Sequence, residues 1–269
     1  MIGQRGPDLG ALRDLLCLCA LCALCACARP RPALPTGAGA PFPGVDAAYD
    51  EAVGDCRGAR SVLAELGLSG RSGGDRLRGR ISAGIASPAE IRLEGVAFGR
   101  PIFILASQAG AATLLLVREN RVVREAPPEA IIEALTGVAL TPRELLAIVT
   151  GCGLVVDAPK SGRTFGDEWA AADVGGGVTY LRRADGRWRV GAAVRGDLQV
   201  VYAEFAGGRA SRVHIKAGTI ADITLAVSQF EMNTTIDPKA FEVNVPPDAA
   251  PLSIEELRRA GPLGEGARR

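Results

Sequence analysis

The chain has 269 residues, and its 31 Lys and Arg residues almost balance its 30 Asp and Glu residues, which leaves a formal net charge of +1. This balance argues against a general nucleic-acid binder, because such proteins carry a marked excess of basic residues. Hydrophobic residues make up 48% of the chain and aromatic residues only 4%, so we expect a core built mainly from Leu, Val, Ile and Ala.

Five of the seven cysteines lie near the N-terminus, in the run CLCALCALCAC between Cys17 and Cys27. Such spacings can indicate thiolate ligands of zinc or copper(I). However, Leu15–Ala26 is an apolar run that follows Arg5 and Arg13, and it is too short to span a hydrocarbon core of about 30 Å. The layout is typical of a secretory signal peptide, and metal binding is the weaker interpretation.

The end of this run, Leu24–Cys27, resembles a bacterial lipobox, in which the last cysteine receives the lipid. We therefore predict a lipoprotein signal peptide over residues 1–26 and lipidation of Cys27, with secretion without an anchor as the alternative. Ala28 is permissive for the outer membrane, whereas Asp in that place would hold an enterobacterial lipoprotein in the inner membrane. The predicted location is the cell envelope, at the periplasmic face of the outer membrane.

Residues 27–44 are predicted to form a tether between the lipidated cysteine and a folded domain. Residues Ala28–Gly44 are rich in Pro, Ala and Gly and show no hydrophobic periodicity. At about 3.1 Å per residue, a semi-extended segment of this length reaches on the order of 50 Å from the membrane.

Two further cysteines, Cys56 and Cys152, lie in the folded part of the chain. In an oxidising envelope they could form a disulfide. Their separation in the sequence says nothing about their distance in space, so two buried free thiols are an equal alternative.

The folded domain is predicted to begin with a helix over Val45–Leu66, because small and apolar residues recur there at spacings of three and four. From Leu68 to Arg124 the period changes to two, as in Arg76–Ile81, where arginines alternate with other residues. Short alternating segments separated by turns indicate a meandering antiparallel sheet. Its further strands are predicted at Glu90–Val96, Pro101–Ser107, Ala112–Arg118 and Val122–Arg124.

Two short helices are predicted to interrupt the strands, at Pro128–Leu135 and Pro142–Thr150. Thr141 is a plausible N-cap of the second helix. Gly137 and Gly151 directly follow the two helices, where glycine commonly ends a helix.

Strands resume after the second helix, with Asp185-Gly186 and Gly207-Gly208 as hairpin turns. Ser253–Arg259 is predicted to form a terminal helix or helical turn. The strands are predicted at Arg163–Ala171, Gly177–Arg183, Arg187–Val194, Leu198–Phe205, Arg212–Lys216, Ile220–Gln229 and Phe241–Val245.

The segment Glu90–Leu154 resembles the middle of LolB, the outer-membrane receptor for lipoproteins, and of its LolB/LolA-like relatives. The matching features are the turn at Phe98-Gly99, the helix end Leu135-Thr136-Gly137, and a second short helix over Leu145–Gly151. The order of elements extends the resemblance to roughly Val45–Val245, whereas the stretch from Ile236 to Arg269 goes beyond the family pattern. The lipid-binding domain is predicted over residues 45–247, and residues 248–269 are predicted to form a C-terminal helical tail. The chain is therefore expected to be a divergent member of this type.

The resemblance implies a mostly β, α+β fold: a half-open antiparallel barrel of about 11 strands, with short lid helices over an apolar cavity. Such a cavity would hold acyl chains, which need only an apolar lining of low specificity. The alternative for each single residue is an ordinary place in the core. The residues expected to line the cavity are Phe103, Leu105, Leu114, Leu116, Ile131, Leu135, Leu145 and Val149.

The resemblance also implies that Phe98 and Gly99 form a membrane-inserting loop, since an apolar residue before this glycine helps LolB to deliver its cargo. An aromatic side chain on a tight turn is well suited to the headgroup region of a bilayer. Ala97 replaces a proline of the family turn, which makes the loop less rigid. The alternative is a Phe98 side chain folded back into the core.

Catalysis finds little support in the sequence, and we expect neither an enzyme nor a cofactor or metal site. His214 is the only histidine and lies in an alternating segment, and the chain has no G-x-S-x-G motif. Gly175-Gly176-Gly177 lacks the context of a phosphate-binding loop and is predicted to be a turn. Trp169 and Trp188 are expected in the core or at its rim, with the cavity mouth as an alternative.

The sequence thus predicts a membrane-anchored, non-catalytic binder of lipoprotein acyl chains that helps to localise lipoproteins to the outer membrane. Expected partners are outer-membrane lipid, lipoprotein acyl chains and, by the resemblance, a periplasmic LolA-like carrier, with no nucleic acid. The alternatives are a lipid or glycolipid shuttle or an assembly lipoprotein on the same fold, an envelope hydrolase, and a purely structural lipoprotein. Fold alone does not separate these roles, because function depends on the site.

Overall fold

A computed structural model of the chain describes residues 33–97 and 99–260. Within these ranges the chain forms a mostly β structure with four α-helices and one antiparallel sheet. The helices are α1 (Val45–Arg57), α2 (Pro128–Thr136), α3 (Pro142–Thr150) and α4 (Ile254–Ala260). The strands are β1 (Ala40–Pro41), β2 (Ser61–Ser72), β3 (Asp75–Ala86), β4 (Glu90–Ala97), β5 (Arg100–Gln108), β6 (Ala111–Leu116), β7 (Arg121–Ala126), β8 (Gly162–Phe165), β9 (Trp169–Val174), β10 (Gly177–Ala184), β11 (Arg187–Arg195), β12 (Leu198–Ala206), β13 (Arg209–Ala217), β14 (Ala221–Met232) and β15 (Ala250–Pro251).

The sheet consists of two meanders that meet in its middle. In the middle of the sheet, β14 pairs with β2 over nearly its whole length. From there, β2 to β7 lead in sequence order toward one edge, and β14 back to β8 lead in reverse sequence order toward the other. The two-residue strands β1 and β15 form the edges, and β15 is the one that pairs in parallel, with β7. The prediction of a mostly β fold is confirmed, but the barrel is corrected: 15 strands form an open sheet that does not close.

Three predicted elements are wrong in their bounds or type. The helix predicted over Val45–Leu66 ends at Arg57, and the rest of that segment belongs to β2. The single strand predicted over Arg163–Ala171 is two strands, β8 and β9, because the chain turns at Gly166 with a φ of 63°. The strand predicted over Phe241–Val245 does not form; a short 3-10 helix over Pro238–Phe241 ends there instead.

The short helices and tight turns agree with the local sequence signals. Thr141 caps α3 in a capping box, in which its hydroxyl accepts from the Glu144 N–H at 3.2 Å. Gly137 and Gly151 end α2 and α3 in the left-handed region, with φ of 75° and 91°. The hairpins at Asp185-Gly186 and Gly207-Gly208 also form, with positive φ at all four residues.

The helices cover one face of the sheet, which we call the inner face. Helix α1 packs on β9 to β11, α3 packs on β2, β3 and β13, and α2 packs on β6 and on α4. The core between helices and sheet is largely aliphatic, as the composition predicts. The described residues from 34 to 260 form one compact unit that contains this core, so we expect the segment 34–269 to fold without residues 1–33.

The C-terminal residues that the structure describes belong to the same compact unit. Leu257 of α4 is fully buried in the main core, and Arg121 of β7 forms an ion pair of 2.9 Å with Glu256. Ser253 caps α4, because its hydroxyl accepts from the Glu256 N–H at 3.2 Å. The predicted terminal helix is therefore confirmed. Among the residues described, no helix has the length and apolarity needed to cross a bilayer.

The two cysteines of the folded domain form a disulfide, which the sequence left open. Cys56 lies in the last turn of α1, and Cys152 is the second residue after α3. Their Cα atoms are 5.8 Å apart, within the usual range for a disulfide. The bond joins a helix on one meander to a helix that packs across the junction of both.

Glu144 of α3 is a buried carboxylate with two kinds of partner. Its Oε2 atom accepts hydrogen bonds of 2.9 Å from the N–H and from the hydroxyl of Thr141, and its Oε1 atom pairs with Arg195 of β11. Burial alone would raise the pKa of Glu144, but the hydrogen bonds from Thr141 and the charge of Arg195 outweigh burial and lower that pKa.

Acid is therefore expected to weaken the fold through Glu144. A carboxylate whose pKa is lowered by folding stabilises the protein above its unfolded pKa, and this contribution disappears as the pH falls through the lower, folded pKa. Glu144→Gln keeps a capping side chain but loses the ion pair, so we expect a loss of about 1 kcal/mol at pH 7, because Arg195 is partly exposed. Thermal unfolding of both proteins at pH 7 and pH 3 tests this. If the melting temperatures of the two proteins differ by the same amount at pH 7 and at pH 3, this expectation is wrong.

Candidate functional site

The residues predicted to line the acyl-chain cavity are distributed over β5, β6, α2 and α3. On β5 and β6, Phe103 lies directly opposite Leu116, and Leu105 lies directly opposite Leu114. Helix α2 packs over β6 on the same side. All eight residues belong to the main hydrophobic core: Phe103, Leu105, Leu114, Leu116, Ile131, Leu135, Leu145 and Val149.

A pocket opens from this core at one end of the sheet. Its volume is about 390 Å³, and Leu135 is the predicted cavity residue that lines it. The tip of the β2–β3 hairpin, the end of α2, and the turn before β14 form its walls. We call it the hairpin-tip pocket; it is lined by Ser72, Gly73, Asp75, Leu77, Glu133, Ala134, Leu135, Gly137, Ile220 and Arg258.

The backbone holds the walls of the hairpin-tip pocket in place. The N–H of Gly73 donates to the carbonyl oxygen of Ile220 at 2.9 Å, which ties the hairpin tip to the turn before β14. Gly137 brings the end of α2 against both, since a Cβ atom there would collide with the hydroxyl of Ser72 and lie 3.1 Å from Ile220 Cγ2. The glycine that ends α2 is thus also needed for this close approach.

The hairpin-tip pocket is lined by polar and apolar groups in nearly equal measure. Leu77, Ala134 and Leu135 are buried apolar residues of its wall. At the rim, Arg258 of α4 approaches Glu133 of α2 at 3.8 Å. A lining that carries both apolar and charged groups suits an amphipathic ligand.

Ile220 is the most unusual residue of this pocket. Its side chain is 60% exposed, although it is a large aliphatic residue at the mouth of an apolar opening. The sequence placed Ile220 at the start of a strand and did not single it out. Its position two residues after Gly218, within the same turn, is the signal that could have marked it as a tip residue.

A second, smaller pocket lies at the opposite end of the sheet, near the Gly207-Gly208 turn. Its volume is about 170 Å³. Arginines stack on its aromatic residues, with the Cζ atom of Arg209 5.0 Å from the Phe230 ring centre and that of Arg189 5.8 Å from the Phe205 ring centre. We call it the arginine–aromatic pocket.

Trp188 is half-buried against the core and lines the arginine–aromatic pocket, not the hairpin-tip pocket. Its ring lies 6.1 Å from the Phe42 ring, and the Cζ atom of Arg183 is 5.6 Å from its centre. Trp169 of β9 is half-buried and lies under Arg182 instead.

Two predicted functional residues, Phe98 and Cys27, lie outside the described residues. Gly99, the partner of Phe98 in the predicted membrane-inserting loop, is exposed in the turn between β4 and β5, with a φ of 74°. This turn lies at the same end of the sheet as the hairpin-tip pocket, because Val96 of β4 pairs with Arg80 of β3 near the hairpin tip.

Titratable side chains in the described residues do not assemble a metal site: no group of three His, Cys, Asp or Glu residues lies close enough there. His214 is half-buried in β13, with Nδ1 2.9 Å from the hydroxyl of Thr224 on β14. The buried Tyr202 hydroxyl donates to the Ile148 carbonyl at 3.1 Å and accepts from the Gly153 N–H at 3.0 Å. Burial raises the pKa of Tyr202, so it acts as a neutral bridge between sheet and α3.

No protein-family model and no curated protein sequence matches the chain. Its fold is similar to several solved structures of low sequence identity. A LolA superfamily protein from Nitrosomonas europaea is 9% identical, with a TM-score of 0.49, and the match covers 73% of this chain and 94% of that one. A DUF1329 family protein from Desulfovibrio piger is 13% identical, with a TM-score of 0.46 and coverage of 75% and 98%. The lipoprotein LppX of Mycobacterium tuberculosis is 13% identical, with a TM-score of 0.33 and coverage of 72% and 98%.

Proposed function

We propose that this protein binds the acyl chains of lipids or lipoproteins non-covalently, between the inner face of the sheet and α2. The hairpin-tip pocket carries the proposal. Its volume of about 390 Å³ lies within the range of about 300–1,000 Å³ that is usual for small-molecule sites. Leu77, Ala134 and Leu135 offer an apolar wall that continues into the core.

The proposed cargo follows from the chemistry of this lining. An acyl chain gains about 0.8 kcal/mol for each methylene group removed from water, and it requires no particular hydrogen bond. The charged pair of Arg258 and Glu133 at the rim suits the polar end of the same molecule. We therefore propose a carrier without catalytic activity or a cofactor.

The resemblance to the LolB/LolA-like superfamily supports the finer part of the proposal. In this role the chain is anchored by a lipid on Cys27 to the outer membrane and accepts lipoproteins from a soluble periplasmic carrier. The loop of Phe98 and Gly99 helps to release the acyl chains into the bilayer. Such transfer needs no nucleotide, because differences in affinity between the carrier, the receptor and the membrane drive it.

Filling the hairpin-tip pocket is expected to weaken acyl-chain binding. The ring of Ala134→Phe would occupy the space of at least two methylene groups of the bound acyl chain. Because each buried methylene group contributes about 0.8 kcal/mol, binding should weaken about tenfold or more. Residues 34–269 would be titrated with the fluorescent fatty acid cis-parinaric acid, and thermal unfolding would verify that the variant is folded. Ile220→Glu is a second variant at an exposed position of the same pocket, and it should weaken binding as well.

Two controls locate the site. Ala111→Phe adds the same ring at an exposed position of β6, at the other end of the sheet, and should leave binding unchanged. Phe205→Ser removes an aromatic residue from the arginine–aromatic pocket. The proposal is wrong if Phe205→Ser loses acyl-chain binding while Ala134→Phe and Ile220→Glu bind fully. The binding site would then be the arginine–aromatic pocket at the opposite end of the sheet.

A further inference from the structure

Four arginines lie side by side on the β2–β3 hairpin. Arg76, Arg78 and Arg80 occupy alternate positions of β3, and Arg71 of β2 is directly opposite Arg76. All four side chains are exposed. Alternate residues of a strand point to the same face, so the arginines form one row, about 13 Å long on β3. We call these four residues the arginine ladder.

The arginine ladder points away from the helices. The residues between its members on β3 include Leu77, which is buried on the inner face, and Ile81 continues that buried series. On β2, Leu66 and Leu68 are buried in the same way, whereas Arg71 follows the other alternation. The ladder therefore stands on the outer face of the sheet, in solvent.

The ladder is an unfavourable arrangement for the isolated fold. Like charges directly opposite one another in a sheet destabilise it, and Arg71 and Arg76 are such a pair. Within the described residues, Arg76, Arg78 and Arg80 form no ion pair with a carboxylate. Arg71 donates to the carbonyl of Gly74 at 3.0 Å, and the acidic neighbour of Arg71 is Asp222, its partner residue on β14. A concentrated positive charge of this kind favours an anionic partner.

The ladder lies at the same end of the sheet as the exposed Ile220. The hydrogen bond from Gly73 to Ile220 links the hairpin tip to that residue, and Lys216 of β13 adds a further positive charge opposite Asp222. An anionic bilayer attracts arginines to its phosphates and buries an aliphatic tip among its acyl chains. A nucleic-acid backbone would bind the arginines but would not use the exposed Ile220. The net charge of +1 is also unusual for a nucleic-acid-binding protein.

We propose that the arginine ladder and Ile220 form a docking surface for an anionic phospholipid bilayer. Docking at this corner presents the end of the sheet that carries the hairpin-tip pocket to the membrane. The inference does not depend on acyl-chain binding, since a protein with a filled core could dock in the same way.

The test is binding of residues 34–269 to vesicles by co-sedimentation, without the predicted lipid anchor. Vesicles of phosphatidylcholine with 30% phosphatidylglycerol, a composition chosen for the assay, should bind the protein, and pure phosphatidylcholine vesicles should not. Each arginine near an anionic surface strengthens binding about fivefold, so the triple variant Arg76→Gln, Arg78→Gln and Arg80→Gln should bind about a hundredfold more weakly. Because like-charge repulsion is removed, its melting temperature in solution should not fall.

A matched control removes the same charge elsewhere. The exposed residues Arg124, Arg143 and Arg182 lie on three separate elements, and their replacement by Gln should leave vesicle binding unchanged. Equal binding by the two triple variants, or equal binding of the wild type to neutral vesicles, would overturn the proposal. So would tighter binding of a 20-base-pair DNA duplex, a length chosen for the assay, than of the anionic vesicles. Since fatty-acid titration uses no vesicles, failure of docking and failure of acyl-chain binding are told apart.

Discussion

Loss of the Cys56–Cys152 disulfide is expected to lower the free energy of unfolding by about 2–5 kcal/mol. The bond closes a loop with a sequence separation of 96 residues, and a loop of that size restricts the unfolded chain strongly. Both cysteines are buried, and the bond connects the end of α1 to the second residue after α3. Its loss therefore frees two helices that cover different parts of the sheet.

The measurement is urea unfolding of residues 34–269 with and without a reductant, beside the double variant Cys56→Ala and Cys152→Ala. The reduced protein and the double variant should unfold at similarly low urea concentrations. The reductant should not affect the double variant, which serves as the control. Equal stability of the oxidised and reduced proteins would show that the bond does not constrain the fold.

Adding one methyl group at Gly95 is expected to cost about 1–3 kcal/mol, because the core there has no room. Gly95 of β4 lies directly opposite Phe103 of β5, and a Cβ atom at Gly95 would overlap the Phe103 ring. The ring is 1% exposed, so it cannot move into solvent. The absent side chain at Gly95 thus allows Phe103 to lie flat in the predicted acyl-chain region.

A double-mutant cycle tests this pairing. Gly95→Ala should be strongly destabilising alone, and the additional change Phe103→Leu should recover part of the loss, since the smaller side chain leaves space. Gly67→Ala in β2 is the control, because its new Cβ atom would make an ordinary contact of 3.4 Å with the Ala226 side chain. Additive effects of the Gly95 and Phe103 changes would contradict the proposed contact.

Local signals in the sequence are sufficient for the short helices and tight turns. Thr141 and Gly151 act through neighbouring backbone groups, so the sequence alone predicts the ends of α3 correctly. Val62 and Leu66 show the limit of such signals. They continue the helical spacing of α1, yet they also alternate with half-buried positions in β2. Pairing of β2 with β3 and β14 on both sides decides in favour of the strand.

Contacts between distant segments could not be predicted from the sequence. The pairing of β14 with β2, which makes one sheet of two meanders, depends on both meanders being complete. Cys56 and Cys152 meet because α1 and α3 share the inner face. Ile220 is a similar case: its neighbour Gly73 is remote in the sequence, and only the folded hairpin places the two at one pocket.

The candidate site was predicted in part. All eight predicted cavity residues are buried in the core, and the register of β5 with β6 puts four of them side by side. The opening itself was not foreseen, since its walls come from the β2–β3 hairpin and the turn before β14 rather than from β5 and β6. Leu135 is the predicted cavity residue that also lines the hairpin-tip pocket.

Native mass spectrometry tests the central claim most directly. Protein isolated from cell envelopes would be measured before and after lipid extraction, and a diacylated lipopeptide would then be added back. Acyl-chain binding predicts one acylated ligand for each untreated molecule, its loss on extraction, its return with the lipopeptide, and an empty Ala134→Phe variant. An untreated protein that is already empty and that takes up no lipopeptide would contradict the proposed function.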